Sequence, residues 1–356
     1  MHPFSPPPRH KLEVAECAVL WQGRGSMKAL QLTTPQQFTP VELPEARDPG
    51  PGEALVRIHA IGICGTDVSG YLGKMPFMEY PLILGHELGV EVLATGEGVT
   101  NVQPGDRCSV EPYLNCGACH SCLQGRTNCC ESLKVLGVHC DGGMRERMVL
   151  PTAKLHPRNA LSFEQLALVE MLGIGCHAVN RAQVQEGDDV LIIGAGPIGL
   201  TVLEFARLAG AKVSVYELSE ARRDFVRRTY EGVTVLEAAP PEACAQVVFD
   251  ATGHPGSMGG AFRHARFTGK VVYVGITKEP VVLDDPLFHR RELTLLASRN
   301  AVAGDFHRIL ALIEAGKINT HAWISHRAPF DELPAAMAGW VQPGSDVVKA
   351  VTSLSS

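Results

Sequence analysis

The chain has 356 residues, 45% of them hydrophobic and 20% charged, a composition too apolar for a disordered chain and too polar for a membrane protein. That length suits two domains and a large core. The net charge is -6, from 38 acidic and 32 basic residues, and aromatics make up only 6%, so neither a global field for polyanions nor stacking platforms for bases point to nucleic acid.

Residues 1–26, rich in proline and charge, read as a flexible extension without the apolar stretch of a secretory signal, and Met27 opens a better pattern, MKALQL. From Met27 to about Thr152, short apolar runs alternate with turn signals. Strands are predicted at 54–60, 90–94 and 144–150, with turns at 49–52, 104–106 and 141–143. This is a mostly β region with long loops. Ser162 is placed to cap a helix running through Gln165, Leu166, Leu168 and Val169, with Glu164 in its first turn. A βαβ unit follows: strand 189–193, helix 197–208 with proline at its start and Gly210 beyond its end, and strand 212–216. Further strands are predicted at 246–249, 270–274 and 293–297. Such alternation means an α/β fold with a parallel sheet. Only eleven residues, Pro240 and Pro241 among them, separate Val235 from Val247, so a stunted crossover helix is expected there. A helix over 305–315 closes the unit, and the tail returns to the first region. No run is long and apolar enough to span a membrane.

Eleven cysteines need a chemical reason. Cys17, Cys64, Cys108, Cys140, Cys176 and Cys244 are scattered, whereas Cys116, Cys119, Cys122, Cys129 and Cys130 crowd one stretch. The odd total and the spacing suit metal ligands rather than a disulfide framework, which implies a reduced, cytoplasmic compartment. Cys116, Cys119, Cys122 and Cys130 offer four thiolates to a tetrahedral zinc; with no position left for water, that site is structural. Cys129 is the spare, and the sequence leaves open which neighbour binds; a cluster of free thiols is the alternative. A nucleic-acid zinc ribbon is disfavoured, because the lobe 115–130 carries one arginine, Arg126, beside His120.

Gly194-Ala195-Gly196-Pro197-Ile198-Gly199 follows a predicted strand and opens a predicted helix, and Glu217 stands at the end of the next strand. That is the context of a dinucleotide fingerprint. Gly194, Gly196 and Gly199 let the backbone approach a pyrophosphate, and the helix start at Pro197 and Ile198 presents its positive dipole end. Glu217 is expected to accept hydrogen bonds from ribose hydroxyls and so to favour NAD over NADP; Arg222 and Arg223 temper that preference. The alternative is a tight strand–helix turn with no ligand. A third, dispersed set is Cys64-Gly65-Thr66-Asp67 after a strand and Gly85-His86-Glu87 further on. A thiolate, an imidazole and carboxylates suit an open catalytic zinc site, with Asp67 accepting the proton on the second ring nitrogen of His86. Taken singly, a cysteine is usually a buried small hydrophobe and a histidine more often a satisfied surface or core group.

The order GICGTD, GHE, four-cysteine lobe and GAGPIG resembles the zinc-dependent medium-chain alcohol dehydrogenases over essentially all of residues 27–356. Within them the chain most resembles the sorbitol and threonine dehydrogenase branch, and stretches 137–143, 251–253 and 298–300 resemble sugar-acid dehydrogenases of the hexonate 5-dehydrogenase kind. The resemblance implies a GroES-like catalytic domain over 27–175, a Rossmann domain of doubly wound parallel sheet over 176–315, and a return to the first domain over 316–356. It implies a catalytic zinc on Cys64, His86, Glu87 and Glu170, the last opening the helix between the domains, and a proton-accepting hydroxyl at Thr66. Relatives commonly follow that glutamate with proline, where this chain has Met171, and many carry a relay histidine at the position of Ser69. The implied activity is hydride transfer between NAD and a secondary alcohol of a polyol, sugar or sugar acid, with two zincs per chain, in a homodimer or homotetramer. Gly253 and Gly275 are expected to let the nicotinamide half approach, and Arg299 to contact a substrate hydroxyl or carboxylate, its alternative being a solvated salt bridge. Two rivals remain: an NADPH-dependent carbonyl or quinone reductase, disfavoured by Glu217, and a non-enzymatic zinc- and nucleotide-binding sensor, disfavoured by Thr66.

Overall fold

The computed structural model describes residues 25–75, 78–342 and 344–354. The predicted extension, apart from Gly25 and Ser26, lies outside the described residues, as does Cys17. Apolar alternation builds the central strand of the first sheet, Glu53–Ile63, in which Ala54, Val56, Ile58 and Ala60 are buried. With it, six more strands make a seven-stranded sheet. Their order is Leu155–Pro157, Arg107–Val110, Glu87–Thr95, Glu53–Ile63, Lys349–Ser353 and Ile324–Pro329, with Arg147–Pro151 also on Glu53–Ile63. The strand predicted from 144 begins only at Arg147. Met144 is drawn off instead, its N–H donating to Leu84 O (2.9 Å) and its carbonyl accepting from Leu30 N (2.8 Å). A smaller sheet of Gln37–Pro44, Ser26–Thr34 and Leu82–Ile83 covers this region.

The second sheet is parallel, in the order Thr234–Leu236, Lys212–Tyr216, Asp189–Ile193, Ala245–Asp250, Ala265–Tyr273 and Thr294–Ala297. The helix Pro197–Leu208 has proline in its first turn, as its sequence demands. The stunted helix expected after Val235 does not form, and residues 237–244 run as turns and bends. Two prolines remove two N–H donors there. The eight residues, extended, also span the roughly 14 Å of three strand spacings without a helix.

One helix joins the two sheets. Ser162 caps Phe163–Ala182, its hydroxyl accepting from Gln165 N while the Gln165 side chain accepts from Ser162 N. The helix is continuous across the predicted domain boundary at 175. Its buried residues fill the core shared with the parallel sheet, including Leu168, Leu172 and Val179. Two glycines set how closely it packs. A Cβ on Gly89 would stand 2.0 Å from Phe163 O, and one on Gly175 would stand 2.3 Å from the Thr201 carbonyl carbon. Among the described residues, no helix is long and apolar enough to cross a membrane.

These approaches yield a paired prediction. Gly175→Ala forces the helices Phe163–Ala182 and Pro197–Leu208 apart and should destabilise the fold by about 1–3 kcal/mol. Gly304→Ala, at a helical position with no atom within 4 Å of the added Cβ, should be neutral or stabilising by up to about 1 kcal/mol. Urea unfolding of the two variants checks the contrast.

Candidate active site and metal centres

The first site is built by sheet register. Cys64 follows the end of Glu53–Ile63 and caps the helix Gly65–Tyr71, while Glu87 opens the neighbouring strand directly opposite Gly62. Only glycine fits at 62, because a Cβ there would stand 2.0 Å from Glu87 Oε2. Cys64, His86 and Glu87 each present one ligand atom, and these atoms lie within 4.8 Å of one another. Glu170, at mid-helix in Phe163–Ala182 rather than at a helix opening, does not join that set. Its carboxylate accepts instead from the Tyr113 hydroxyl, and both side chains are buried. Thr66 and Ser69 are half-buried in the helix Gly65–Tyr71.

Asp67 is fully buried and accepts from Cys64 N at 2.9 Å and from Gly85 N at 3.3 Å. Its Oδ1 is 3.7 Å from His86 Nδ1, an ion-pair distance but too long for the hydrogen bond expected from the sequence. The backbone of the two loops has taken the carboxylate's hydrogen bonds. His86 Nδ1 is buried without a hydrogen-bond partner, and Glu87 Oε2 is met only by the ammonium of Lys349. Burial pushes the Asp67 and Glu170 carboxyls upward, against the pull of His86. Burial opposes charge on His86 too, but Asp67, Cys64 and Glu170 outweigh it and hold that imidazole well above its ordinary range. A sulfur, a nitrogen and an oxygen donor, with an unpartnered imidazole nitrogen in a carboxylate-rich pocket, fit a divalent zinc ion, whose charge offsets the buried anions.

The four-cysteine lobe is the second cluster. Cys116, Cys119, Cys122 and Cys130 place their sulfurs within 4.8 Å of one another, and Cys129 is exposed and outside the group. Backbone amides point at the sulfurs: Cys116 N at Cys130 Sγ (3.3 Å), Cys119 N at Cys116 Sγ (3.3 Å) and Ala118 N at Cys116 Sγ (3.5 Å). The amides of Ala118 and Cys119 hold the Cys116 thiol down to about 6, whereas burial pushes Cys122 up to about 11. Amide donors around four convergent sulfurs suit thiolates bound to a tetrahedral metal.

The glycine loop joins Asp189–Ile193 to Pro197–Leu208. Gly194 has φ +93°, and a Cβ on Gly199 would stand 1.8 Å from Gly194 O. Ile198 packs partly into the core rather than standing free over the loop. Glu217 ties the loop to the next strand: Oε2 accepts from Ala195 N (2.7 Å) and Oε1 from Ser219 N (2.8 Å). A carboxylate has about four acceptor positions, so further donors are still accommodated. Gly194, Gly196, Glu217, Arg222, Thr252 and His254 line a cavity of about 530 Å³. Arg222 is half exposed, 3.7 Å from Glu217 Oε2, while Arg223 is spent on Glu220 and on the carbonyls of Glu217 and Leu218. Gly253 and Gly275 abut each other: a Cβ on Gly275 would stand 2.4 Å from Gly253 N. Arg299 is exposed, and its carbonyl accepts from Asn128 Nδ2 of the cysteine lobe at 2.7 Å.

Residues 50–160 match the family model of the alcohol dehydrogenase GroES-like domain, and residues 197–315 match that of the zinc-binding dehydrogenases. The L-galactonate-5-dehydrogenase of Escherichia coli (strain K12) is 38% identical over 314 residues, which cover 85% of this chain and 92% of that one. This chain belongs to the zinc-binding dehydrogenase family. A crystal structure from Escherichia coli CFT073, described as a short chain alcohol dehydrogenase complexed with NADH, matches the dehydrogenase with a TM-score of 0.85 at 28% identity, covering 92% of this chain and 99% of that one. A Sinorhizobium meliloti 1021 protein, assigned as a zinc-binding dehydrogenase and bound to NADP, matches with a TM-score of 0.84 at 29% identity, covering 93% and 100%. The GroES-like and Rossmann-type α/β fold is thus that of the family.

Three residues of this dehydrogenase escape a reading of the sequence. Lys349 is buried, its Nζ 2.5 Å from both Glu87 oxygens and donating to Ile63 O at 3.0 Å. Tyr113 holds Glu170, and Asn128 pins the cysteine lobe to Arg299 O and to His177 Nε2 (3.1 Å). The one local signal was a lysine amid the apolar run 347–351, at the start of the strand Lys349–Ser353. In chelator-treated protein, Lys349→Met should destabilise the fold by about 3–5 kcal/mol, since it strands a buried carboxylate. Adding Glu87→Leu should recover most of that loss. Urea unfolding of the single and double variants checks both.

Proposed function

We propose that this chain is a zinc-containing, NAD-dependent dehydrogenase that oxidises a secondary alcohol of a polyol, sugar or sugar acid. The observation that carries the reading is the buried, convergent donor set of Cys64, His86 and Glu87, in a chain that also carries a dinucleotide-type loop and cavity. Kinship with a sugar-acid dehydrogenase supports the substrate class. In this reading Cys64, His86 and Glu87 or Glu170 hold the catalytic zinc, and Cys116, Cys119, Cys122 and Cys130 a structural one. The bound groups supply Lewis acidity toward a substrate hydroxyl and a hydride acceptor. Thr66, in the first turn of its helix, takes the hydroxyl proton at Oγ1 and passes it outward. Glu217 orients the adenosine ribose, the glycine loop of 194–199 receives the pyrophosphate, and Arg299 contacts a substrate hydroxyl or carboxylate. Residues 27–175 with 316–356 form the catalytic unit and 176–315 the cofactor unit.

Two further elements complete the proposal. The strand Thr294–Ala297 is an edge of the parallel sheet with Leu295 exposed, and Ile276 and Val282 stand exposed beside the same unit. An open apolar edge of this kind favours a homo-oligomer. Reduced thiolates in the lobe require a reducing compartment, which supports a cytoplasmic location. One observation keeps NADP as a second reading: Arg222 lines the cavity beside Glu217.

The decisive experiment is a screen of polyols and aldonates with NAD, read by reduced-nicotinamide absorbance. Turnover is expected on at least one of them; a chain that binds NAD and zinc but turns over none is the sensor instead. On the active substrate, Thr66→Val should lower turnover by roughly 10²–10⁴-fold, as loss of an acid–base group does. Ser69→Ala should cost well under about tenfold, because serine has no basic form near neutral pH. Elemental analysis should find close to two zincs per chain, roughly in the proportion of one open and one closed site. A chelator should remove activity before it unfolds the protein, and one tightly held zinc with full activity would refute the catalytic assignment. Wild-type protein should prefer NAD by about tenfold or more, and Glu217→Ala should relax that preference. Equal wild-type rates with NADP would show that Arg222 already dominates.

A further inference from the structure

The cysteine lobe sits at the tip of a two-stranded hairpin. Tyr113–Leu114 leads into it just before Cys116, Lys134–Val135 leaves it after Cys130, and the two strands pair with Tyr113 opposite Val135. Each strand then reaches toward the mixed site. Tyr113 turns its hydroxyl onto Glu170 Oε1, in a contact from which solvent is excluded. Val135 N donates to His139 Nδ1 at 3.1 Å, and the loop beyond it packs on the residue preceding His86, where a Cβ on Gly137 would stand 2.7 Å from Gly85 N. On its other side, the Tyr113 ring lies edge-on to Phe306 of the helix Ala303–Glu314, with centroids 6.5 Å apart and planes at 79°. Tyr113 is therefore fixed by the lobe hairpin, by the cofactor unit and by its own hydroxyl at once.

We propose that Tyr113 is a positioning residue for Glu170: its hydroxyl holds the carboxylate in the orientation from which it serves the Cys64–His86–Glu87 centre, and the metal-closed lobe keeps Tyr113 in place. This rests on the reading of Glu170 as a member of that centre. A buried carboxylate with one strong donor has its second oxygen left to a metal or to a metal-bound water, and its direction is set by that donor. Outer partners of this type typically govern metal affinity by about 10–100-fold.

The test is Tyr113→Phe, which removes one oxygen and keeps the ring against Phe306. It is read in protein loaded with cobalt at the mixed site and zinc in the lobe. The expected result is a changed cobalt visible spectrum and a roughly 10–100-fold weaker cobalt affinity by competition with a chelator, with lobe zinc content and far-ultraviolet dichroism unaltered. A wild-type spectrum and affinity in Tyr113→Phe overturn the proposal. Glu170→Gln separates the two claims. If Glu170→Gln changes the cobalt spectrum and Tyr113→Phe does not, positioning fails while the ligand reading stands. If Glu170→Gln changes nothing, the ligand reading fails and takes the proposal with it. Should Tyr113→Phe not fold, the double variant with Glu170→Gln decides: recovery of folding assigns the defect to the stranded carboxylate and supports the proposal, and continued failure makes Tyr113 a packing residue only.

Discussion

Three carboxylates, Asp67, Glu87 and Glu170, are buried around one point, answered by one buried lysine, Lys349, and by the imidazole of His86. Much of the architecture follows from that imbalance. A low-dielectric interior does not tolerate uncompensated anions, so each carboxylate is held by directed partners. Asp67 takes the amides of two loops, Glu87 takes the lysine, and Glu170 takes a tyrosine hydroxyl. The remaining negative charge is the electrostatic argument for a cation at Cys64, His86 and Glu87.

The partners come from distant parts of the chain because the sheets bring them together. Glu87 reaches the site through its register against Gly62, and Lys349 through the antiparallel pairing of Lys349–Ser353 with Glu53–Ile63, where Ala350 faces Ile63. Side chains alternate along a strand, so a one-residue slip in either pairing would turn the glutamate or the lysine to the opposite face. Gly62 enforces the register sterically, since its missing Cβ is the space that the Glu87 carboxylate fills. The geometry of the donor set and the packing of the sheet are the same constraint here.

What could be read in advance follows the range of the interactions. The elements Asp189–Ile193, Pro197–Leu208 and Lys212–Tyr216 were legible to the residue, because buried strands bounded by glycine and a helix opened by proline are local signals. The convergence of the four lobe cysteines was legible because residue type and spacing carry it, and that of Cys64, His86 and Glu87 because the motif order resembles a family in which they meet. The helix after Val235 was expected from the alternation of the fold and is absent, because local composition overrode the pattern. The Asp67–His86 hydrogen bond was expected from chemical complementarity, but nearer backbone donors took the carboxylate. Lys349, Tyr113 and Asn128 were invisible for one reason. Their partners lie between 49 and 286 residues away, and nothing in the surrounding sequence names them.

The pairing of Glu87 with Lys349 also imposes an order on synthesis. The two residues are 262 positions apart. On a ribosome adding about 5–20 residues per second, the glutamate emerges roughly 13–50 s before the lysine that neutralises it. The whole parallel sheet is made in that interval. The first sheet therefore cannot close by itself as the chain leaves the tunnel. Its seven-stranded form is complete only when the strand Lys349–Ser353 has been made and pairs beside Glu53–Ile63.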